Sequence, residues 1–176
     1  MGRMIASSGK EYQPGDIFNS VSHQGMEFGN QVHQFFEGVT WVDELEGLVD
    51  SSAARVVSDC LSQEGIRAHF TQPTLSDGEG FQLLREQPFE TQQKGCWISG
   101  VIDRAVITLR EGKPVSVEII DFKTDSADGL TEQLLKDKYT EQLSVYRTAI
   151  SQITGLNQEA IKCYLLSTSM KKMIEV

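Results

Sequence analysis

The sequence contains no apolar run approaching the roughly 18 residues a membrane-crossing helix needs, so no membrane partner is expected. Its first residues, Met1-Gly2-Arg3-Met4-Ile5-Ala6-Ser7-Ser8-Gly9, hold no apolar core of signal-peptide length, and a cytoplasmic location is the default expectation. Cysteine is scarce: Cys60, Cys96 and Cys163 are far apart, form no C-x-x-C pair, and exclude by number an iron–sulfur cluster held by four cysteines of this chain. A Gly-x-x-x-x-Gly-Lys-Ser/Thr loop is also missing, so no ATP-driven motor is expected within these 176 residues. Positive charge is in short supply, with 16 Lys and Arg against 25 Asp and Glu for a net charge of −9. That balance opposes strong binding to a polyanion. The deficit is concentrated in residues 1–65, which hold three basic and ten acidic side chains. Any phosphate-binding surface is therefore expected in the remainder, with weak affinity unless a partner or attached domain delivers the substrate.

What is present reads as one ordinary globular domain, 39% hydrophobic and 23% charged. Residues 1–20 lack periodicity and are expected to be a flexible lead-in to a folded domain over 21–176. Apolar residues at three- and four-residue spacing predict an amphipathic helix over 26–48, bent near Gly38. A second helix is expected from Ser52, its N-cap, to Gly65, followed by loop through Pro73 and Gly80. Strands are expected over 81–89, 96–109 and 115–123, the last two joined as a β-hairpin, then a helix over 130–153 ending near Gly155 and a strand over 161–167. A strand, a helix and a further strand permit a crossover connection, so the class is α/β with a mixed sheet, a central hairpin and flanking helices.

The hairpin carries a geometric argument. A loop centred on Gly112 sets Asp103 directly opposite Asp121, where Cβ atoms lie roughly 4.5–5.5 Å apart and like charges repel. Lys123, two residues on, shares the face of Asp121, whereas Glu118 falls on the other face. Two carboxylates among apolar neighbours suit Mg²⁺ or Mn²⁺, and a nearby ammonium can orient a water, an arrangement for metal-assisted phosphodiester hydrolysis. The plainer reading is a solvated strand end with Asp103 in an ordinary ion pair with Arg104 or Lys123. A glycosidase could also use two acids, but has no role for Lys123.

Gly100-Val101-Ile102-Asp103-Arg104, followed by Ile119-Ile120-Asp121-Phe122-Lys123-Thr124-Asp125, resembles the central motifs of RecB-family PD-(D/E)XK nucleases, most of all the C-terminal nuclease domain of AddA-type helicase–nucleases. Three further segments are similar in order and approximate spacing: Gly29-Asn30-Gln31-Val32-His33, Arg85-Glu86-Gln87-Pro88-Phe89, and Tyr139 through Tyr146 with its Gln-x-x-x-Tyr pattern. The resemblance implies a restriction-endonuclease-like core and a Mg²⁺-dependent (exo)deoxyribonuclease, with Mn²⁺ able to substitute and DNA as substrate. It also implies a helicase motor in the same polypeptide or complex and a role in double-strand break repair and recombination. By the same resemblance Asp103, Asp121 and Lys123 are catalytic. His33, Asp103, Asp121 and the Phe122 carbonyl hold the metal, and Gln142, Tyr146, Glu86 and Lys138 support the site or meet DNA. Ile102 stands where the superfamily's name has Pro. The alternative function is a catalytically inactive nuclease-fold module that binds DNA or serves structurally.

Overall fold

The computed structural model describes residues 3–5, 23–44, 51–93, 95–126 and 128–176. They form a six-stranded mixed sheet. Strands β2 (Glu79–Gln93), β3 (Cys96–Arg110) and β4 (Lys113–Lys123) run as an antiparallel meander. After helix α4 (Glu132–Thr154), β5 (Ile161–Ser167) returns parallel to β4, and β6 (Lys172–Glu175) adds an antiparallel edge. β2 covers one side of β3 along its length, which leaves β1 (Arg3–Ile5), parallel to Trp97–Ser99, on the side that β4 occupies further along.

Because β4 is covered on both faces, its side chains alternate between two cores without a polar face. Val117 and Ile119 join Ile102, Ala105 and Leu165 beneath Leu143, Tyr146 and Ile150 of α4. Ile120 and Phe122 join Leu166 beneath α1 (His23–Gly38), α2 (Ser52–Leu61) and α3 (Glu64–Phe70), which contribute Val32, Phe36, Val57, Ile66 and Phe70. The expected α/β class, with a central hairpin in a mixed sheet between helices, is the observed one.

Several details differ from expectation. The hairpin turns on two residues, Glu111 and Gly112, both at positive φ (50° and 73°), as a tight turn between right-twisted strands requires. Alone that turn would displace the register, but Val115 is squeezed out as a bulge, and from Thr108–Ser116 to Arg104–Ile120 the pairing is the one a loop centred on Gly112 gives. Helix α1 stops at Gly38 instead of running to 48. Arg104 donates to the carbonyls of Val39 (3.0 Å) and Thr40 (2.9 Å), so the chain leaves the helix with those acceptors satisfied, and Val42–Glu44 make a 3₁₀ turn. Leu45 and Leu48, assigned to the same helix, lie outside the described residues.

Ser51, not Ser52, caps α2, accepting the Ala54 N–H at 3.1 Å. Gly65, expected as a stop, sits inside α3, where Ile66 and Phe70, one turn apart, bury against the sheet. Arg3–Ile5 form a strand within the stretch expected to be lead-in; the rest of residues 1–20 lies outside the described residues. At the other end β6 was not expected at all. Thr131 and Gly155 (φ 74°) cap α4 close to where expected. Among the described residues no helix is long and apolar enough to cross a membrane.

Candidate active site

The hairpin ladder ends at Arg104–Ile120, and Asp103 and Asp121 occupy the next position, where β3 and β4 part. Freed from the ladder, the Phe122 N–H donates to Asp103 Oδ2 at 2.7 Å, and His33 Nε2 of α1 lies 3.1 Å from the same oxygen. Asp121 is only 2% exposed. Its Oδ2 touches Lys123 Nζ at 2.6 Å yet receives no well-directed hydrogen bond, and its Oδ1 accepts one from Gln142 Nε2 at 3.3 Å. Burial first, and the charge of Asp103 second, push Asp121 well above the usual carboxylate range, with Lys123 opposing.

Lys123 points to α4, as its parity with Asp121 implied, and Glu118 points the other way to His69 Nδ1 at 2.9 Å. The ammonium is held on three sides: by Asp121, by Gln142 Oε1 at 3.3 Å, and by the face of Tyr139, whose centroid is 4.2 Å away. Gln142 thus bridges acid and base and also donates to the Tyr146 hydroxyl at 2.6 Å. Tyr146 serves core and site together: its ring packs edge-on against Phe89 while its oxygen meets Gln142.

His33 reaches Asp103 because α1 approaches the end of β4 closely. A side chain at Gly29 would bring its Cβ to 2.9 Å from Thr124 Oγ1, so anything larger than glycine there requires the Thr124 side chain to move. The imidazole's other nitrogen, Nδ1, lies 2.6 Å from Glu37 Oε1. Burial opposes a charge on the ring, but the hydrogen bonds and charges of Asp103 and Glu37 outweigh it and raise the pKa to about 9.

Glu86 interrupts β2 at φ +46°, a left-handed backbone that L-residues rarely adopt, between the pairs Arg85–Arg104 and Gln87–Ile102 and hence beside Asp103. Burial and then the charges of Glu37 and Asp103 raise its pKa. His33, Glu37 and Glu86 each bring a potential ligand atom within 4.8 Å of the others.

Of the residues singled out from sequence, Asp103, Asp121, Lys123, His33, Gln142 and Tyr146 converge, with Glu86 at the rim. Phe122 contributes its backbone there, while its ring belongs to the α1–α3 core, 5.0 Å from Phe36. Lys138 does not reach the acids: it pairs with Asp125 at 2.5 Å. Arg104 does not pair with Asp103 either. It turns to the opposite face, with its guanidinium between Trp41 and Phe70, 4.9 and 4.6 Å from their centroids. Sequence reasoning missed Glu37, whose signal was its place one helical turn after His33, and Tyr139, which lies inside the motif quoted but was given no role.

Two carboxylates and an imidazole are the donor types a hard cation takes, and burial with like charges brought together costs energy in the free protein, with Lys123 offsetting part of it. A mixed sheet flanked by helices, with acids and a lysine where its central hairpin splays, defines the restriction-endonuclease-like class of fold. The family model of the PD-(D/E)XK nuclease superfamily matches residues 17–174, and the chain belongs to that superfamily. Its members are in general nucleases that hydrolyse phosphodiester bonds, typically with divalent metals. No curated protein matches the chain.

Proposed function

We propose that the chain is a RecB-type nuclease domain that hydrolyses DNA phosphodiester bonds with Mg²⁺, or Mn²⁺ in its place, most similar to the nuclease part of AddA-type helicase–nucleases. The observation that carries the reading is the convergence of buried Asp103 and Asp121 on Lys123 and His33 where the hairpin opens. Asp103, Asp121 and His33 Nε2 would hold the cation, with the Phe122 carbonyl completing the set. When bound, the metal supplies neutralising charge and a more acidic water.

The protein's part is placement. The Phe122 N–H fixes Asp103, Gln142 fixes both Asp121 and Lys123, and the Lys123 ammonium, pressed between a carboxylate and an aromatic face, is positioned to orient the attacking water. Because the chain is acidic and carries no motor, delivery of DNA falls to a helicase in the same polypeptide or complex, which fits exonucleolytic processing of broken ends in repair and recombination in the cytoplasm.

The test is cleavage of end-labelled single- and double-stranded DNA. Products should appear with Mg²⁺ or Mn²⁺, vanish with chelator, and fall steeply as salt rises. Chelator-resistant cleavage, or intact DNA at all metal concentrations, would oppose the reading. His33→Ala should raise the metal concentration needed for half-maximal cleavage, and an unchanged requirement would return His33 to a structural role.

The raised His33 pKa sets a pH dependence. In the metal-free protein the charged imidazole contributes stability that is fully present below 6.5 and is lost as pH rises through about 9. A cation on Nε2 must displace that proton, so Mg²⁺ affinity should climb as pH rises toward 9, with proton release visible by calorimetry in buffers of different ionisation enthalpy. Affinity independent of pH over that range would take His33 off the metal.

A further inference from the structure

We infer that Glu37 is a positioning residue for the metal site, holding the His33 ring by its Nδ1–H so that Nε2 presents its lone pair beside Asp103. The inference rests on the metal-binding reading above. A neutral imidazole has one nitrogen that donates and one that accepts or ligates, and the hydrogen bond made by the first selects the second. His33 offers both sides to carboxylates, but the two acids are not equivalent. Asp103 is 8% exposed, already takes the Phe122 N–H at 2.7 Å, and sits beside Asp121, so its surroundings are those of a ligand. Glu37 Oε1 lies 2.6 Å from Nδ1, on the far side of the ring from Asp103, one turn along the same helix.

Glu37 is also held in place by its own backbone. Arg85 Nη1 donates to the Glu37 carbonyl at 3.2 Å and to Thr40 Oγ1 at 3.3 Å, while the buried Arg104 takes the carbonyls of Val39 and Thr40. Two arginines therefore pin the end of α1, and the carboxylate one turn from His33 inherits that fixed frame. Carboxylate, histidine and cation then form a chain in which the first member never touches the third. This assigns Glu37 a different part from a ligand, although its oxygen lies within 4.8 Å of a ligand atom of Glu86 and of His33.

The experiment compares wild type, Glu37→Ala and Glu37→Gln of the full chain, each first checked for an unchanged far-ultraviolet circular dichroism spectrum. Mg²⁺ binding is followed by calorimetry, and the His33 ring nitrogens by long-range ¹⁵N–¹H spectra with saturating Mg²⁺. Glu37→Ala should weaken Mg²⁺ binding by about 10–100-fold at unchanged stoichiometry, the range for loss of such a supporting partner. Glu37→Gln, which still offers an oxygen to Nδ1–H, should recover a large part of the loss. The wild-type spectra should show the proton on Nδ1. Unchanged affinity in Glu37→Ala, a proton found on Nε2, or a lost equivalent of Mg²⁺ would each overturn the assignment while leaving the metal site standing. Wild type that binds no Mg²⁺ would overturn the metal-binding reading and the assignment together.

Discussion

Replacing Lys123 by alanine is expected to lower DNA cleavage by about 10²–10⁴-fold, the range for loss of a positioned proton-transfer group, while Mg²⁺ binding is largely kept. The separation follows from the geometry. The proposed ligands Asp103, Asp121 and His33 come from β3, β4 and α1, whereas Lys123 stands on the α4 side against Gln142 and Tyr139. On the proposed mechanism, removing the amine takes away the group that orients water and leaves the proposed ligands. Because Lys123 touches buried Asp121 at 2.6 Å, its loss makes the charged carboxylate still less favourable in the metal-free protein, and added Mg²⁺ should restore the fold's stability without restoring turnover. Single-turnover cleavage alongside calorimetry separates the two effects. Turnover at the wild-type rate would remove Lys123 from the mechanism.

A second large effect is expected in stability. Asp121 is buried next to Asp103, and its folded-state pKa lies above the ordinary 3.8. The folded state therefore keeps the proton longer than the unfolded chain does. Its contribution is fully favourable below 3.8 and is lost as pH rises through the raised value, so at neutral pH the carboxylate works against the fold. Asp121→Asn removes the charge at nearly constant shape and should raise the metal-free melting temperature by the equivalent of about 1 kcal/mol, with the gain growing from acid to neutral pH. Loss of the Lys123 ion contact limits that gain. Mg²⁺ should stabilise the wild type by about 2.7 kcal/mol at a hundred times its dissociation constant, and the variant much less. A variant that melts below wild type without metal, combined with equal responses to Mg²⁺, would mean that the acids do not share a cation.

The strands and α4 were legible because their signals are local: β-branched runs for β3 and β4, and a helix-terminating glycine after α4. The hairpin register came out right as far as Arg104–Ile120, one step short of the two acids, although the turn did not, because a two-residue turn and the bulge at Val115 offset each other. Bulges leave no mark in composition, so neither half of that compensation was visible. The end of α1 was misread because the chain just beyond it is held by Arg104, a residue more than sixty positions away that takes the carbonyls of Val39 and Thr40. Short elements such as α3 and β6 are held by tertiary burial of one or two side chains, among them Ile66, Phe70 and Ile174, with too few residues for periodicity to register.

The site followed the same division. Asp103, Asp121 and Lys123 share strand parity, which sequence gives directly, and His33, Gln142 and Tyr146 came from motif resemblance. Lys138, expected to support the site or meet DNA, is a half-exposed side chain paired with Asp125 on the loop after β4. Glu37 and Tyr139 act through a neighbouring side chain, and such roles appear only once the neighbour's direction is known.

The most direct measurement is the anomalous scattering of Mn²⁺ in crystals of the protein grown with that ion. A single peak is expected between the carboxylates of Asp103 and Asp121 and His33 Nε2, at roughly 2.0–2.3 Å from the ligand atoms, with Glu37 on Nδ1 and outside the coordination shell. The account would be contradicted by a peak held by Glu37 and Glu86 with Asp121 still against Lys123, or by no peak near Asp103 at Mn²⁺ concentrations that support cleavage.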